Sequence, residues 1–432
     1  MVKRLSLYGR VSFVVFVLAF FISQNVWALT DSERIKELEQ KLQQSIQTID
    51  ELSGRVRNLE KELGEQKKAA VAAPAPVAEQ QPAVEPVSPV PSSFALHGYA
   101  DVDFGLNTKR NNEDDKIRGF ATGKLDLFVN PQFGNNGKGI AELIFEHSNT
   151  GETEMELHRL FFDYSFNDLA TVRAGRFLTP LGYWNEQFVH NAQTQTSILR
   201  PTFLDDDEGV MPLHMVGLLG YGGGDFAGGK LKYEVYFTNG ARITNADGGG
   251  GQLDSNNLKN DKNAYTAGIN LNYEFRGGLE GLRLGGHFLH GGVNSYDADG
   301  QLLTKTGLNI VGGYALYNNY NWEVISEFYD FIDKDRSNGT GTHSSWAGFI
   351  QAGHTFFDRL TPYARLEKAH LDLNDSYFSQ QANGKPYSRE ALGVRYDLTP
   401  RSCIKLELTH TKITDREAEK FNEMRMQYAV AF

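Results

Sequence analysis

The chain has 432 residues, a formal net charge of -11, 12% aromatic residues and one cysteine. The acidic balance argues against nucleic acid as a partner, and a single cysteine excludes any intramolecular disulfide. A mean hydropathy of -0.42 is close to that of a soluble protein, but it also fits a membrane barrel, in which only alternate residues face lipid.

The first 28 residues have the pattern of a secretory signal peptide. Three basic residues precede an apolar run over 11–22, and Val26 and Ala28 supply the small residues expected before a cleavage site. An uncleaved membrane anchor is the alternative, but the run is short of the ~20 residues that a spanning helix needs. Removing residues 1–28 takes away three positive charges and no negative ones, so the net charge of the exported chain becomes -14.

A heptad pattern follows the signal peptide and predicts a periplasmic coiled coil over residues 29–68. Apolar side chains occupy nearly every a and d position: Ile35, Leu38, Leu42, Ile49, Leu52, Val56, Leu59 and Leu63. A lone amphipathic helix packed on the rest of the chain is the alternative. The β-branched a residues with leucine at d favour a parallel dimer for this segment.

Residues 69–93 are rich in proline, alanine, valine and glutamine. Such a segment has too few large apolar side chains to form a core, and it favours extended polyproline II structure. We interpret it as a semi-rigid linker between the coiled coil and the remaining chain. A solubilising tail with no specific role is the alternative.

Alternating apolar and polar residues dominate residues 94–432. In the last strand the outer set is apolar, namely Met424, Met426, Tyr428, Val430 and Phe432, and the other set is polar or small. Period-two alternation places one set on each face of a strand. About sixteen such runs occur with no helical segment to cover their apolar faces. We therefore predict an all-β fold, a transmembrane antiparallel barrel of about sixteen strands with a polar interior.

The connections between these runs alternate in length, which supports a barrel. Short turns are predicted near 134–138, 167–169, 222–229, 277–281, 319–321, 358–360 and 399–401. Long polar loops are predicted near 107–119, 179–211, 239–262, 292–304, 333–343 and 372–386. Short periplasmic turns and long outer loops are typical of outer-membrane barrels.

With its signal peptide, barrel and C-terminal aromatic, the chain resembles the Gram-negative outer-membrane porins over residues 94–432. The resemblance implies location in the outer membrane, contact with its lipid, a homotrimer, and an assembly signal for the barrel assembly machinery at Tyr428, Val430 and Phe432. The N-terminal helix is similar to the periplasmic extension of sugar-specific and dicarboxylate-specific porins. Residues 173–182 weakly resemble phosphate-selective porins, although the acidic run at 205–208 departs from an anion-selective loop.

The longest connection, residues 179–211, follows the fifth strand, from which the constriction loop of porins folds inward. Its candidate pore residues are Glu186, Arg200, Asp205, Asp206, Asp207 and Glu208. The candidate basic residues on the opposing wall are Arg159, Arg173 and Arg176. Carboxylates facing basic groups create a transverse field that orders dipolar solutes and sets ion preference. The alternative is an external loop that covers the mouth.

No cofactor, metal or catalytic motif stands out. The acidic run lacks EF-hand spacing for Ca²⁺, and the eleven histidines contain no HExxH, so we predict no metal site. Residues 224–230 match the spacing of a phosphate-binding loop, but Leu231 stands where Ser or Thr should follow. GxSxG is absent, and a barrel hydrolase without a local motif is the enzymatic alternative.

The prediction from the sequence is a non-enzymatic, passive or weakly selective porin for small hydrophilic solutes or ions, with a mild preference for cations. The alternative is a structural anchor that links the outer membrane to the cell wall, for instance to peptidoglycan, through the coiled coil.

Overall fold

The structure is a computed structural model that describes residues 96–109, 117–147, 153–188, 192–206, 209–254, 264–337, 339–414 and 419–432. The signal peptide at 1–28, the coiled coil at 29–68 and the linker at 69–93 lie outside the described residues. Asp207 and Glu208 also lie outside them. Among the described residues, no helix is long and apolar enough to cross a membrane.

Sixteen long strands make up most of the described chain. They are β1 Leu96–Asn107, β2 Arg118–Val129, β3 Gly137–His147, β4 Thr153–Asn167, β5 Ala170–Leu178, β6 His214–Phe226, β7 Gly229–Asn239, β8 Tyr265–Glu274, β9 Leu282–Tyr296, β10 Leu302–Asn318, β11 Trp322–Asp335, β12 Thr342–His354, β13 Leu360–His370, β14 Tyr387–Thr399, β15 Ser402–Ile413 and β16 Glu419–Ala431. The predicted number of strands is confirmed.

Shorter elements lie in the connections. Two helices, α1 Trp184–Phe188 and α2 Ser376–Ser379, belong to the two loops discussed below. The remaining described elements are the 3-10 turns Thr202–Leu204, Asp247–Gly249 and Gly277–Leu279 and the short strands Gln132–Phe133, Arg242–Thr244 and Gln252–Asp254.

The sheet closes on itself. Each long strand pairs antiparallel with the next, and β16 pairs with β1 in a register that sets Tyr428 opposite Val102. Closure leaves none of the sixteen described long strands as a free sheet edge, which is the condition for crossing a bilayer with strands. The predicted all-β, antiparallel barrel is therefore confirmed.

The two ends of the barrel differ, as the loop lengths predict, but the loops predicted near 292–304 and 333–343 are wrong in length: the connections are 297–301 and 336–341, because β9, β10, β11 and β12 extend into the predicted loops. At one end the strands are joined by turns at 130–136, 168–169, 227–228, 275–281, 319–321, 355–359 and 400–401. At the other end, the described residues of the connections are 108–109, 117, 179–188, 192–206, 209–213, 240–254, 264, 297–301, 336–337, 339–341, 371–386 and 414. The first and last strands both have their free ends on the side of the turns.

The alternation of side chains is also confirmed. On β16, Gln427 is 5% exposed, whereas its neighbour Tyr428 is 44% exposed. On β15, Lys405 and Glu407 are almost fully buried, whereas Leu408, between Glu407 and Thr409, is 51% exposed. The outer surface is thus apolar and the interior carries the charged side chains, the arrangement expected of a barrel in lipid.

The main hydrophobic cluster lies inside the barrel, where the loop at 179–213 packs against the wall. Its members include Phe177, Leu181, Trp184, Phe203, Leu204, Met211, Tyr329, Phe331, Phe349, Tyr377 and Phe378. A wide barrel leaves a lumen that side chains of the strands alone do not fill. Here the apolar residues of the loop occupy part of that space.

Candidate functional site

The loop at 179–213 leaves β5, crosses the lumen and returns to β6. Near its start, the backbone amides of Tyr183 and Trp184 donate to the carboxylate of Glu327 on β11, at 3.0 and 2.6 Å. The indole of Trp184 is completely buried and meets the ring of Phe349 on β12 edge to face, with centroids 5.4 Å apart. This part of the loop therefore lies against the inner wall, not above the mouth.

Arg365 on β13 binds the middle of the loop. Its Nη1 donates to Ser197 Oγ and to the carbonyl of Leu199, both at 2.8 Å, and its Nη2 donates to the carbonyl of Arg200 at 3.3 Å. Its Nε donates to Glu367 at 2.8 Å, and both side chains are fully buried. A guanidinium presents several donors in a fixed plane, so one arginine can orient a stretch of loop backbone.

A second charged pair on β15 continues this contact. Glu407 accepts hydrogen bonds from the amides of Ile198 and Leu199, at 3.1 and 3.2 Å. Lys405 Nζ donates to the carbonyls of Ala192 and Ser197, the latter at 3.1 Å. Buried charges need partners to offset the loss of hydration, and here the loop backbone supplies them. The charged side chains of β11, β13 and β15 thus hold the loop across the lumen.

On the opposite side, a gap remains between the loop and strands β1, β2, β3 and β16. It forms a cavity of about 260 Å³. Its charged lining residues are Asp101, Asp103, Lys124, Glu146, Arg200, Asp205, Asp206 and Arg425. Five carboxyl groups and three basic groups therefore meet in a narrow space.

The candidate pore residues fall into separate groups. Arg200, Asp205 and Asp206 line the gap, and Glu186 does not. The three candidate wall arginines each pair with a carboxylate of a neighbouring strand: Arg159 with Glu142 (Nη2 to Oε1, 2.7 Å), Arg173 with Asp163 (2.7 and 3.0 Å) and Arg176 with Glu156 (2.6 Å). The wall residues with positive charge at the gap are instead Lys124 and Arg425, which the sequence reading did not select.

Glu186 lies in α1, against the wall at β7 and β8. Asn270 Nδ2 lies 2.8 Å from Glu234 Oε2 and 3.5 Å from Glu186 Oε2, so one amide serves two neighbouring carboxyl groups. Burial, followed by the charge of Glu234, raises the pKa of Glu186 well above its ordinary value. Glu186 therefore keeps its proton to a higher pH than an exposed glutamate does, which limits the repulsion between the two neighbouring carboxyl groups.

Asp206 contacts the wall at β4 and β6, where the loop ends. Its Oδ1 lies 3.1 Å from Nδ1 of His214, and its Oδ2 lies 3.8 Å from Nε2 of His158. The histidines were missed because 56 residues separate them, and only the pairing of β4 to β6 through β5 brings them together.

The loop at 371–386 also enters the interior, which the sequence did not reveal. Asp375 caps α2 by accepting from the amide of Tyr377 at 2.9 Å. The hydroxyl of Tyr377 donates to the carbonyl of Val210 at 2.5 Å, and Phe378 packs on Phe331 with centroids 5.1 Å apart. The loop at 371–386 therefore packs against the loop at 179–213 from the end of the barrel where the long loops lie.

The candidate assembly residues lie at the end of β16. Tyr428 and Phe432 are exposed on the outer surface, and Val430 is half-buried between them. Phe432 exchanges backbone hydrogen bonds of 3.0 and 3.1 Å with Gly98 on β1. A Cβ on Gly98 would lie 2.6 Å from the ring of Phe432, so glycine is what allows this ring to sit over the closing seam.

Solved structures of outer-membrane proteins share this fold. The chain is similar to an anion-selective porin from Comamonas acidovorans, with a TM-score of 0.51, 14% identity, and coverage of 79% of this chain and 100% of that one. It is similar to the outer membrane channel DcaP of Acinetobacter baumannii, with a TM-score of 0.52, 10% identity, and coverage of 80% and 99%. A trimer form of OmpT from Vibrio cholerae gives a TM-score of 0.52, 11% identity, and coverage of 79% and 99%.

No family model and no curated protein sequence matches the chain. The resemblance to porins is thus confirmed in the fold, that of an outer-membrane β-barrel. Identities of 10–14% show the fold and not the solute.

Proposed function

We propose that this protein is an outer-membrane channel through which small hydrophilic solutes or ions diffuse, without an enzymatic step. The observation that supports this best is the inward loop at 179–213, which fills one side of a closed barrel and leaves a charged gap on the other. Mixed charges at a narrow passage order water and dipolar solutes and set ion preference.

The charges at the gap favour cations in this proposal. Five carboxyl groups stand against three basic groups, and one of the basic groups, Lys124, is paired with Glu146 at 2.5 Å. The excess of carboxyl groups should lower the energy of a cation in the passage more than that of an anion. Although the similar porin from Comamonas acidovorans is described as anion-selective, the charges of this chain's own gap support the opposite preference.

The proposed setting is the outer membrane of a Gram-negative bacterium, with the short turns toward the periplasm and a homotrimer as the assembly. The apolar outer surface and the fold shared with outer-membrane proteins support the location, and the OmpT trimer form supports the trimer. The signal peptide, the coiled coil and a partner such as peptidoglycan belong to residues outside the described part of the chain, and they remain predictions.

Planar-bilayer recording of the purified, folded full chain tests the channel. We expect discrete conductance steps and, in a KCl gradient, a reversal potential displaced toward that of K⁺. Folded protein that gives no conductance would contradict the channel, whereas a reversal potential toward Cl⁻ would contradict only the cation preference.

We further propose that Tyr428, Val430 and Phe432 are the signal for barrel assembly. Deleting Phe432, or substituting Tyr428→Asp, should lower the amount of folded protein in the outer membrane and leave export to the periplasm unchanged. The matched control is Tyr396→Asp, which places the same charge on an outward position of β14. Equal assembly of the Tyr428→Asp variant and the wild type would contradict the assignment.

A further inference from the structure

Two histidines and a carboxylate converge where the loop at 179–213 returns to the wall. His158 lies on β4, His214 is the first residue of β6, and Asp206 belongs to the loop between β5 and β6. One ligand atom from each residue lies within 4.8 Å of the other two, and the two imidazoles are almost fully buried.

The three residues form a hydrogen-bonded chain that ends on Glu142 of β3. Glu142 Oε2 lies 2.6 Å from His158 Nδ1, and His158 Nε2 lies 2.6 Å from His214 Nε2. The rings stand at 80° to each other, and His214 Nδ1 faces Asp206. A carboxylate that accepts from Nδ1 fixes the tautomer in which Nε2 carries the lone pair, as in many metal sites.

The geometry of this chain leaves a place for a cation. The two Nε2 atoms face each other at 2.6 Å, and a carboxylate stands at each end of the chain, Glu142 beside His158 and Asp206 beside His214. A divalent ion at this place would bind imidazole lone pairs, and the negative charge of the two carboxylates would offset its charge.

We propose that His158, His214 and Asp206 bind a divalent transition-metal ion, with Glu142 orienting His158. Two imidazole nitrogens select Zn²⁺, Cu²⁺, Ni²⁺ or Co²⁺ over Ca²⁺ and Mg²⁺, which prefer oxygen. An ion about 2.0–2.1 Å from each donor keeps two nitrogens roughly 3.3 Å apart, so the histidine pair must open by less than about 1 Å. A water molecule from the gap completes a coordination of four.

The ion has a path to the site and an effect on the gap. The side chain of Asp206 is 12% exposed and lines the gap, whereas the imidazole of His158 is completely buried. An ion therefore enters from the lumen through Asp206. Once bound, it joins β4, β6 and the loop, and it neutralises one of the five carboxyl groups of the gap. This inference does not depend on conduction, because binding is measured on the folded protein itself.

Calorimetric titration of the folded full chain in detergent with Zn²⁺ tests the site. We expect one strong site per chain whose binding releases a proton, so the apparent heat varies with the ionisation enthalpy of the buffer. His158→Gln and Asp206→Asn should abolish the strong site. Glu142→Gln, which leaves every ligand in place, should weaken it roughly 10- to 100-fold. His290→Gln on β9 is the matched control, because this exposed histidine is bonded to Asn309 and lies outside the cluster.

The result that overturns the site is an unchanged isotherm in both His158→Gln and Asp206→Asn, or no binding by the wild type at millimolar Zn²⁺. X-ray absorption at the zinc edge of the wild-type complex keeps the test decisive if the variants fail to fold. Scattering from two imidazoles supports the proposal, and a shell of oxygen alone contradicts it.

Discussion

The loop at 179–213 contacts the two sides of the barrel in different ways. Toward β11, β13 and β15, buried Glu327, Arg365, Lys405 and Glu407 bind its backbone directly, and aromatic rings pack behind these bonds. Toward β1, β2, β3 and β16, charged side chains of loop and wall line a gap of about 260 Å³. Buried charged side chains thus bind the loop on the side of β11, β13 and β15, here called the fastened side. On the side of β1, β2, β3 and β16, here called the open side, charged side chains line a gap. The two sides differ in whether backbone groups of the loop form hydrogen bonds with the charged side chains of the wall.

The largest effect is expected on the fastened side. Arg365→Ala leaves Glu367 as a buried charge without its partner and frees the loop carbonyls of Leu199 and Arg200. Breaking a buried pair in this way costs about 3–5 kcal/mol. Urea unfolding in detergent measures the loss, and bilayer recording should show larger and noisier conductance as the loop detaches.

Arg401→Ala is the control for that substitution, because Arg401 is exposed on a turn at the far end of the barrel. Its expected change in the free energy of unfolding is within about 0.5 kcal/mol. Equal stability of Arg365→Ala and the wild type would show that the loop is not held through this residue.

The second effect is a pH dependence of the loop through Glu186, which packs against β7 and β8. Its pKa is raised in the folded state, so the folded protein binds more protons than the unfolded chain above about pH 4.5. The contribution to stability is fully present below that pH and declines as the pH rises toward the raised pKa. The expected slope is up to about 1.4 kcal/mol per pH unit.

Glu186→Gln should reduce the slope by this contribution, because the amide keeps the hydrogen-bonding shape without a titrating proton. The measurement is urea unfolding over pH 5 to 8, compared with Glu280→Gln on an exposed turn as control. If Glu186→Gln keeps the slope of the wild type, another group is its source.

The smallest effect concerns the open side. Arg425→Gln removes one of three positive charges at the gap and should raise the permeability of K⁺ relative to Cl⁻. A unit charge about 4 Å from an ion in water contributes about 1 kcal/mol, with opposite signs for K⁺ and Cl⁻, so the ratio should rise by at most about thirtyfold. Arg401→Gln, at the turns, should leave the reversal potential in a KCl gradient where it is. A shift toward Cl⁻ in the Arg425→Gln variant would contradict the proposed role of this lining.

The barrel itself could be predicted because its signal is local. Alternation along β16 places Tyr428 outward and Gln427 inward, and the structure confirms both positions. The positions of turns are equally local, since turns such as 319–321 and 400–401 separate two alternating runs with residues that favour turns. The number of strands and the side on which the loops lie follow from these two patterns alone.

The gap could be predicted only in part, because its geometry depends on contacts between distant residues. The acidic run led to Asp205 and Asp206, which do line the gap. The sequence predicts that Arg159 faces the loop from the wall, but it is bonded to Glu142 on the adjacent strand. A β-bulge between β3 and β4 breaks the alternation at that point, so counting along the strand does not tell on which face of the sheet Arg159 lies. The cluster of His158 with His214 had no sequence signal, because metal-binding motifs are recognised by short spacings.

The central claim is that solutes pass on the open side of the loop and not on the fastened side. Cysteines introduced at Asp103 (Asp103→Cys) and at Gln351 (Gln351→Cys), each with Cys403→Ser, test it by single-channel recording during addition of a bulky thiol reagent. Asp103 lines the gap, whereas Gln351 is buried beside Arg365. We predict that the reagent lowers the conductance of the Asp103→Cys variant and leaves that of the Gln351→Cys variant unchanged. The reverse pattern would contradict the account.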